Sequence, residues 1–484
     1  MENETMLQGF EWYLADDGQH WQRLAKEAPE LARKGIKKIW LPPAYKATKR
    51  DDVGYGVYDL FDLGEFDQKG TIRTKYGSKA DYLALIHILK ECGIDPIADV
   101  VLNHKAGADQ KEEFQVVAVD PRDRTKPVSD PFLIQGWTHF CFLGRRKVYN
   151  DFQWHWYHFT GTDYDAKTGK SGIYQIQGDN KGWAHTGLVD SENGNYDYLM
   201  FADIDFKHPE VIQNLYDWAS WFIQTTGIKG FRLDAIKHID AFFMNNFIRD
   251  IKDQFGPDFY VFGEYWSGEL EDNEQYLKQI HYRFDLIDTR LHLNLFDAGR
   301  LGSAYDLRGL LEDSLVKHHP KHAVTFVENH DTQKGQALES TVADWFKAAA
   351  YAFILLRKEG LPCVFYGDYY GVTGKNGQQS FKDRLDLLLD LRLHQAYGDQ
   401  TDYFDNPHCI GWTRKGKEGN TPLAVLINNH VSTTKRMYVG PEHAGREFCD
   451  ALQHCKDTVQ IDEEGWGEFL VPERSVSVWK LHEK

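Results

Sequence analysis

Nowhere in the 484 residues does an apolar run approach the length of a membrane helix, roughly 18 to 20 residues. A soluble protein with no membrane partner is expected. Basic residues are in short supply: 56 Lys and Arg face 73 Asp and Glu, a net charge of −17. That balance repels nucleic-acid phosphates and anionic surfaces, so no nucleic-acid partner is expected and a neutral one fits better. Cysteine is scarce as well. The six (Cys92, Cys141, Cys363, Cys409, Cys449, Cys455) show no CxxC spacing, which points to free thiols in a reducing compartment rather than a disulfide framework. The opening MENETMLQGFEW lacks a basic stretch followed by an apolar one. Either the protein stays in the cytoplasm, with its native reading frame starting at or near Met1, or a leader has been removed.

What the chain does have is core-forming material. Apolar residues make up 42% and aromatics 14%, which excludes a disordered or low-complexity architecture. Strand-like runs fall at residues 5–12, 36–41, 94–102, 230–235, 259–265, 284–291, 323–327 and 362–366. Helical patterns lie between them. In HWQRLAKEAPELARKG the residues Trp21, Leu24, Ala25, Ala28, Leu31 and Ala32 recur at helical spacing, and Gly35 sits where a C-terminal cap belongs. A second helix reads from Pro209 to Gly227. Eight strands alternating with helices predict an α/β fold, a (β/α)8 TIM barrel. The spacing breaks once, after the third strand, where a segment rich in Asp, Gly, Trp and Tyr reads as an inserted domain. Past residue 398, CIGWTR, LAVLINN, KRMYVG, GWGEFLV and SVSVWKL read as a C-terminal antiparallel β domain. The expected limits are 1–102 and 208–398 for the barrel, 103–207 for the insertion and 399–484 for the terminal β-sandwich.

Barrel enzymes carry their chemistry where strands end. Four strand ends here are polar: DVVLNHKAG (99–107), GFRLDAIKHI (230–239), VFGEYW (261–266) and FVENHDTQ (326–333). Asp234 and Glu264 are one βα repeat apart, and Asp331 follows about two repeats later. Taken singly, an acidic residue at a strand end is more often a cap or a loop salt bridge. Three carboxylates converging with Arg232, His104, His238 and His330 suit cleavage of a glycosidic bond: a nucleophile, a proton donor of raised pKa, and charge to stabilise an oxocarbenium-like transition state. The same histidines with a carboxylate would in principle hold zinc, but no HExxH or HxH spacing supports it.

The four clusters, in this order and at these intervals, resemble the signature regions of the α-amylase family of glycoside hydrolases, over essentially the whole chain. GFEWY, DGQHW, LPPAYK, DVGYGVYDLFDLGEF, WHWYHF, ENGNYDYLM, NHDTQ and GWGEF resemble its liquefying bacterial members. The resemblance implies an endo-acting enzyme that hydrolyses internal α-1,4 bonds of starch, glycogen or maltodextrins with retention. It places Asp234 as nucleophile, Glu264 as acid/base and Asp331 as third carboxylate. Arg232, on the same strand face as Asp234, is expected to hold that carboxylate ionised. His104 and His330 match substrate hydroxyl ligands and Tyr55 the stacking ring at the cleaved sugar. Trp266 lines the next position and Lys237 reaches a hydroxyl on the leaving-group side. Trp412, Trp466 and Trp479 are expected in the core. The α-glucan partner would meet a monomer. The same barrel also hosts transglycosylases, and a glycan-binding protein on a dead barrel is the non-enzymatic reading.

Asn103, Asp197 and Asp203 supply hard oxygens from the two ends of the insertion, and the resemblance adds the main-chain carbonyl of His238, a set suited to Ca²⁺. The secreted relatives carry a calcium, sodium, calcium cluster there, with aspartates where this chain has Thr160 and Lys207. QGDNKGWAHTGLVD (177–190) departs from the pattern too. One structural calcium and no cluster are therefore expected, with Lys207 neutralising Asp203 or Asp205.

Overall fold

A computed structural model describes residues 3–417 and 421–482, so the expected start at Met1 lies outside the described residues. The eight strand-like runs become β1 (Thr5–Gln8), β2 (Ile36–Leu41), β3 (Asp95–Val100), β4 (Gly230–Leu233), β5 (Tyr260–Gly263), β6 (Asp285–Ile287), β7 (Ala323–Phe326) and β8 (Leu361–Phe365). They pair in parallel and in sequence order, and β8 closes on β1. Parallel strands buried on both faces read as continuous apolar runs, which is why the pattern was visible. Met6, Trp40, Phe262, Val324 and Phe326 fill the lumen.

The sixth strand is shorter than its apolar run. The Asp288 carboxylate accepts the Leu291 N–H at 3.0 Å and caps helix Thr289–Leu301, so the chain turns helical where the pattern predicts strand. The two expected helices are present. His20–Arg33 buries Trp21, Leu24, Ala28 and Leu31. Pro209–Thr226 ends on Gly227, whose φ of +68° is the left-handed cap that glycine adopts without strain.

Between β3 and Pro209 the chain builds an antiparallel sheet from Gln110–Asp120, Phe132–His139, Phe159–Asp165 and Lys170–Ile176. Its exit and return lie side by side: His104 pairs with Asp203 and Lys105 with Ala202. Past residue 399 a six-stranded antiparallel sheet and the ribbon Thr433–Tyr438 with Trp466–Val471 enclose Met437, Phe448, Phe469 and Trp479. Trp412 and Trp479 are buried as expected. Trp466 is not, because it lies half-buried against Tyr438, 5.3 Å away, with Arg436 over its face.

One polar knot lies in this framework. Lys347, on helix Asp344–Leu356, donates to Glu328 just past β7 at 2.9 Å and to Asp368 just past β8 at 2.6 Å. All three are buried, and Tyr351 also donates to Asp368.

Candidate active site

The strand ends gather the predicted carboxylates around one guanidinium. Arg232 is 1% exposed. Its Nη1 donates to Asp234 Oδ1 at 2.6 Å and to Asp99 Oδ1 at 3.0 Å, and its Nη2 to Glu264 Oε2 at 2.7 Å. The ladder fixes this register, because Asp234 N–H bonds Val100 O and Glu264 N–H bonds Leu233 O, both at 2.9 Å. Ala235 then takes φ +50°, left-handed for a residue with a Cβ, and its N–H donates to Glu264 Oε2 at 3.1 Å. Backbone strain of this kind, of order 1–3 kcal/mol, persists where surrounding structure enforces it.

The electrostatic outcome differs from the sequence-based expectation. Arg232 pairs with Asp234, but it serves three carboxylates at once, and burial with neighbouring Glu264, Asp99 and Asp331 pushes the Asp234 carboxyl well up despite the guanidinium. In a dry site with one cation and several carboxylates such a shift belongs to the interacting group rather than to one residue. Asp331 is pushed up to about 6, first by burial.

Asp99 is the residue that sequence reasoning missed. It accepts Trp40 Nε1–H at 2.9 Å and the Tyr55 hydroxyl at 2.8 Å as well as Arg232. Its signal was an acidic side chain inside an apolar strand, since a buried charge demands partners.

The other predicted residues divide. Tyr55, half-buried, lies parallel to the His330 ring at 5.1 Å and to Trp12 at 5.9 Å, so the aromatic wall has a third member. The Gln8 amide donates to His330 Nδ1 at 2.9 Å, which leaves the proton on Nε2, 3.3 Å from Asp331. Burial lowers that imidazole to about 3, so it is neutral. His104 bonds the Tyr55 carbonyl through Nε2 at 2.8 Å, using the nitrogen a sugar hydroxyl would need. Lys237 reaches Glu192 at 2.9 Å and the Trp266 carbonyl at 3.2 Å. Trp266 is half-buried. His238 bonds the Tyr196 carbonyl at 2.7 Å. Among the described residues, His104, His238 and His330 form no group able to hold zinc.

At the foot of the insertion, Asp197 and Asp203 are both buried. Burial and mutual repulsion push Asp203 well up, and burial takes Asp197 to about 7. Asn103 Oδ1 is buried with no donor. Two crowded carboxylates and an orphaned amide oxygen fit a hard divalent cation. Thr160 donates its hydroxyl to Asp203. The expected role of Lys207 falls to another lysine: Lys181 Nζ, 2.7 Å from Asp205 Oδ2, neutralises that carboxylate, whereas Lys207 Nζ bonds the carbonyls of Gly182 at 2.6 Å and Trp183 at 3.2 Å. Both ammonium groups sit among oxygen ligands, and Lys181 comes from the stretch 177–190 that departs from the family pattern.

Acidic groups converging on a buried arginine at the C-terminal mouth of a parallel barrel, beside a wall of parallel rings, define a glycoside hydrolase. The family is also shown: this chain belongs to the alpha-amylases, with "Alpha amylase, catalytic domain" matching residues 25–421 and "Alpha-amylase C-terminal" matching 423–480. It is 50% identical over 479 residues to an alpha-amylase of Geobacillus stearothermophilus, covering 99% of this chain and 87% of that protein. A cytoplasmic alpha-amylase of Escherichia coli (strain K12) is 40% identical over 493 residues and 100% of both chains. Among solved structures, alpha-amylase from Geobacillus thermoleovorans complexed with acarbose shares the fold, with TM-score 0.65 and 19% identity over 100% of this chain and 98% of that one.

Proposed function

We propose that this protein is an endo-acting α-amylase that hydrolyses internal α-1,4 bonds of starch, glycogen or maltodextrins with retention. The observation that carries this reading is the binding of Asp234 and Glu264 to two nitrogens of one guanidinium, which holds the two carboxyls close together. Retaining enzymes need about 5 to 5.5 Å between them, against 6.5 to 9.5 Å for inversion. Asp234 oxygen bonds the anomeric carbon as the glycosidic C–O bond breaks, and the Glu264 proton goes to the leaving oxygen. Glu264 then takes a proton from water, which attacks the same carbon and frees Asp234. Asp331 and the His330 Nε2–H bind sugar hydroxyls in this scheme, Tyr55 and Trp266 stack on pyranose faces, and Lys237 serves the leaving-group side. His104 joins after giving up the Tyr55 carbonyl. Proton NMR of the first product should show the α-anomer before mutarotation. The β-anomer first would overturn the mechanism, and cyclic or transfer products in place of shortened chains would favour a transglycosylase.

The calcium reading is a single ion held by Asn103, Asp197, Asp203 and the His238 carbonyl, fastening the insertion to the barrel. Lys181 already provides a positive charge at Asp205, so further ions have little to neutralise. Metal analysis of dialysed protein should return about one calcium per chain. Chelation should cost about 4 kcal/mol at a calcium level a thousandfold above Kd, seen as a lower melting temperature. Two or more calcium ions per chain would overturn the single-ion reading. A cytoplasmic monomer is the companion proposal, supported by six free cysteines; no helix is long and apolar enough to cross a membrane among the described residues. The domain limits 1–102, 103–207, 208–398 and 399–484 stand as part of it.

A further inference from the structure

The inserted sheet gathers a second set of donors that the glycosidic site does not use. Glu112, His139 and His155 each offer one ligand atom within 4.8 Å of the others. Glu112 is on strand Gln110–Asp120, His139 ends strand Phe132–His139, and His155 comes from the segment that follows. The two imidazoles lie nearly parallel with centroids 4.3 Å apart. Cys141 places its Sγ 3.2 Å from His139 Nε2.

The carboxylate is held in place. Glu112 Oε2 accepts the Trp156 N–H and the Thr138 hydroxyl, each at 2.7 Å, and its Oε1 lies 2.8 Å from His155 Nδ1. Outer hydrogen bonds of this kind orient a ligating carboxylate. All four side chains are half-buried, so solvent reaches them.

We infer that Glu112, His139 and His155, with Cys141 as fourth donor, form a site for a zinc-class divalent ion. Tetrahedral bonds of about 2.0–2.3 Å set donors roughly 3.3–3.6 Å apart, so the pairs now at 2.8 Å and 3.2 Å open slightly around the ion while the wider ones, within 4.8 Å, close in. The ion takes the place of the proton between His155 Nδ1 and Glu112 Oε1, which passes to His155 Nε2 so that the ring stays a neutral imidazole, and the proton of the Cys141 thiol leaves to solvent. Two nitrogens, a sulfur and one oxygen select zinc over calcium, which takes oxygen alone. The bound ion would clip two strands of the inserted sheet to the loop before strand Phe159–Asp165. A neighbouring trio, His158, His208 and Glu210, also converges, but His158 Nδ1 accepts the His155 N–H at 2.9 Å, and the proton therefore sits on the Nε2 that faces Glu210. That pair is closed by its own hydrogen bond.

The test uses full-length, untagged, calcium-loaded protein and zinc chloride titrated against a chromogenic zinc indicator. One zinc per chain is expected, with affinity falling about tenfold or more in His139→Ala and in His155→Ala. His155→Gln replaces the alanine variant if that one fails to fold. Cobalt in place of zinc should give a thiolate charge-transfer band that Cys141→Ser removes. Starch hydrolysis without zinc should be unchanged in every variant. No stoichiometric zinc, or affinity in both histidine variants equal to that of the unsubstituted protein, would overturn the site; cobalt bound without the thiolate band would remove Cys141 from it.

Discussion

Asn in place of Asp234 should lower turnover on soluble starch by about 10⁴-fold or more, since the amide cannot attack the anomeric carbon. That is roughly 5.5 kcal/mol of lost transition-state stabilisation. The fold should survive. Arg232 keeps Asp99 and Glu264 as partners, and removing one carboxylate from a crowded dry site relieves repulsion, so the melting temperature should hold or rise. Near-normal turnover in Asp234→Asn would sink the assignment. The pH profile gives a second reading of the same cluster. Asp331 is raised to about 6 and Asp234 moves in the same direction. Raised carboxylates that must be ionised lose activity early as pH falls, so kcat/KM should decline through about pH 6, well above the range of an exposed aspartate at about 3.9.

Lys347→Met should destabilise the protein by about 3–5 kcal/mol, the cost of removing one partner from a buried ion pair. Methionine nearly fills the space, so packing is spared and the charge is what is lost. Glu328 and Asp368 would then face each other in the core. Burial and Asp368 already push Glu328 up to about 8 with Lys347 present. Without the ammonium its pKa rises further, so the variant's loss should be smallest at pH 5, where Glu328 is protonated in both proteins, and begin to grow only from about pH 8 upward. Urea unfolding at the two pH values measures this. A loss below about 1 kcal/mol at pH 8 would mean that the pair was never desolvated enough to matter.

The barrel was legible because parallel strands buried on both faces have to be apolar throughout, and turn residues mark their ends. Carboxylates at those ends stood out against that background. Less legible was anything decided by partners distant in sequence. Asp288 ended β6 through a cap that the apolar run could not show. Asp99 looked like part of a motif until Trp40, Tyr55 and Arg232 closed on it. Lys207 and Lys181 have the same charge, and only the fold shows which one meets Asp205. Arg232 was placed beside Asp234 correctly, yet the state of that carboxylate depends on the total burial and charge of the cluster, which spacing does not encode.

The adjacent exit and return of the inserted segment, with His104 beside Asp203 and Lys105 beside Ala202, separate the length of the loop from the shape of the barrel. Ends already zipped together feel added residues only through the slow logarithm of loop closure, about 0.6 kcal/mol for each doubling. Descendants of this gene can therefore lengthen, trim or exchange the segment between those two pairs while the chemistry beneath stays in register.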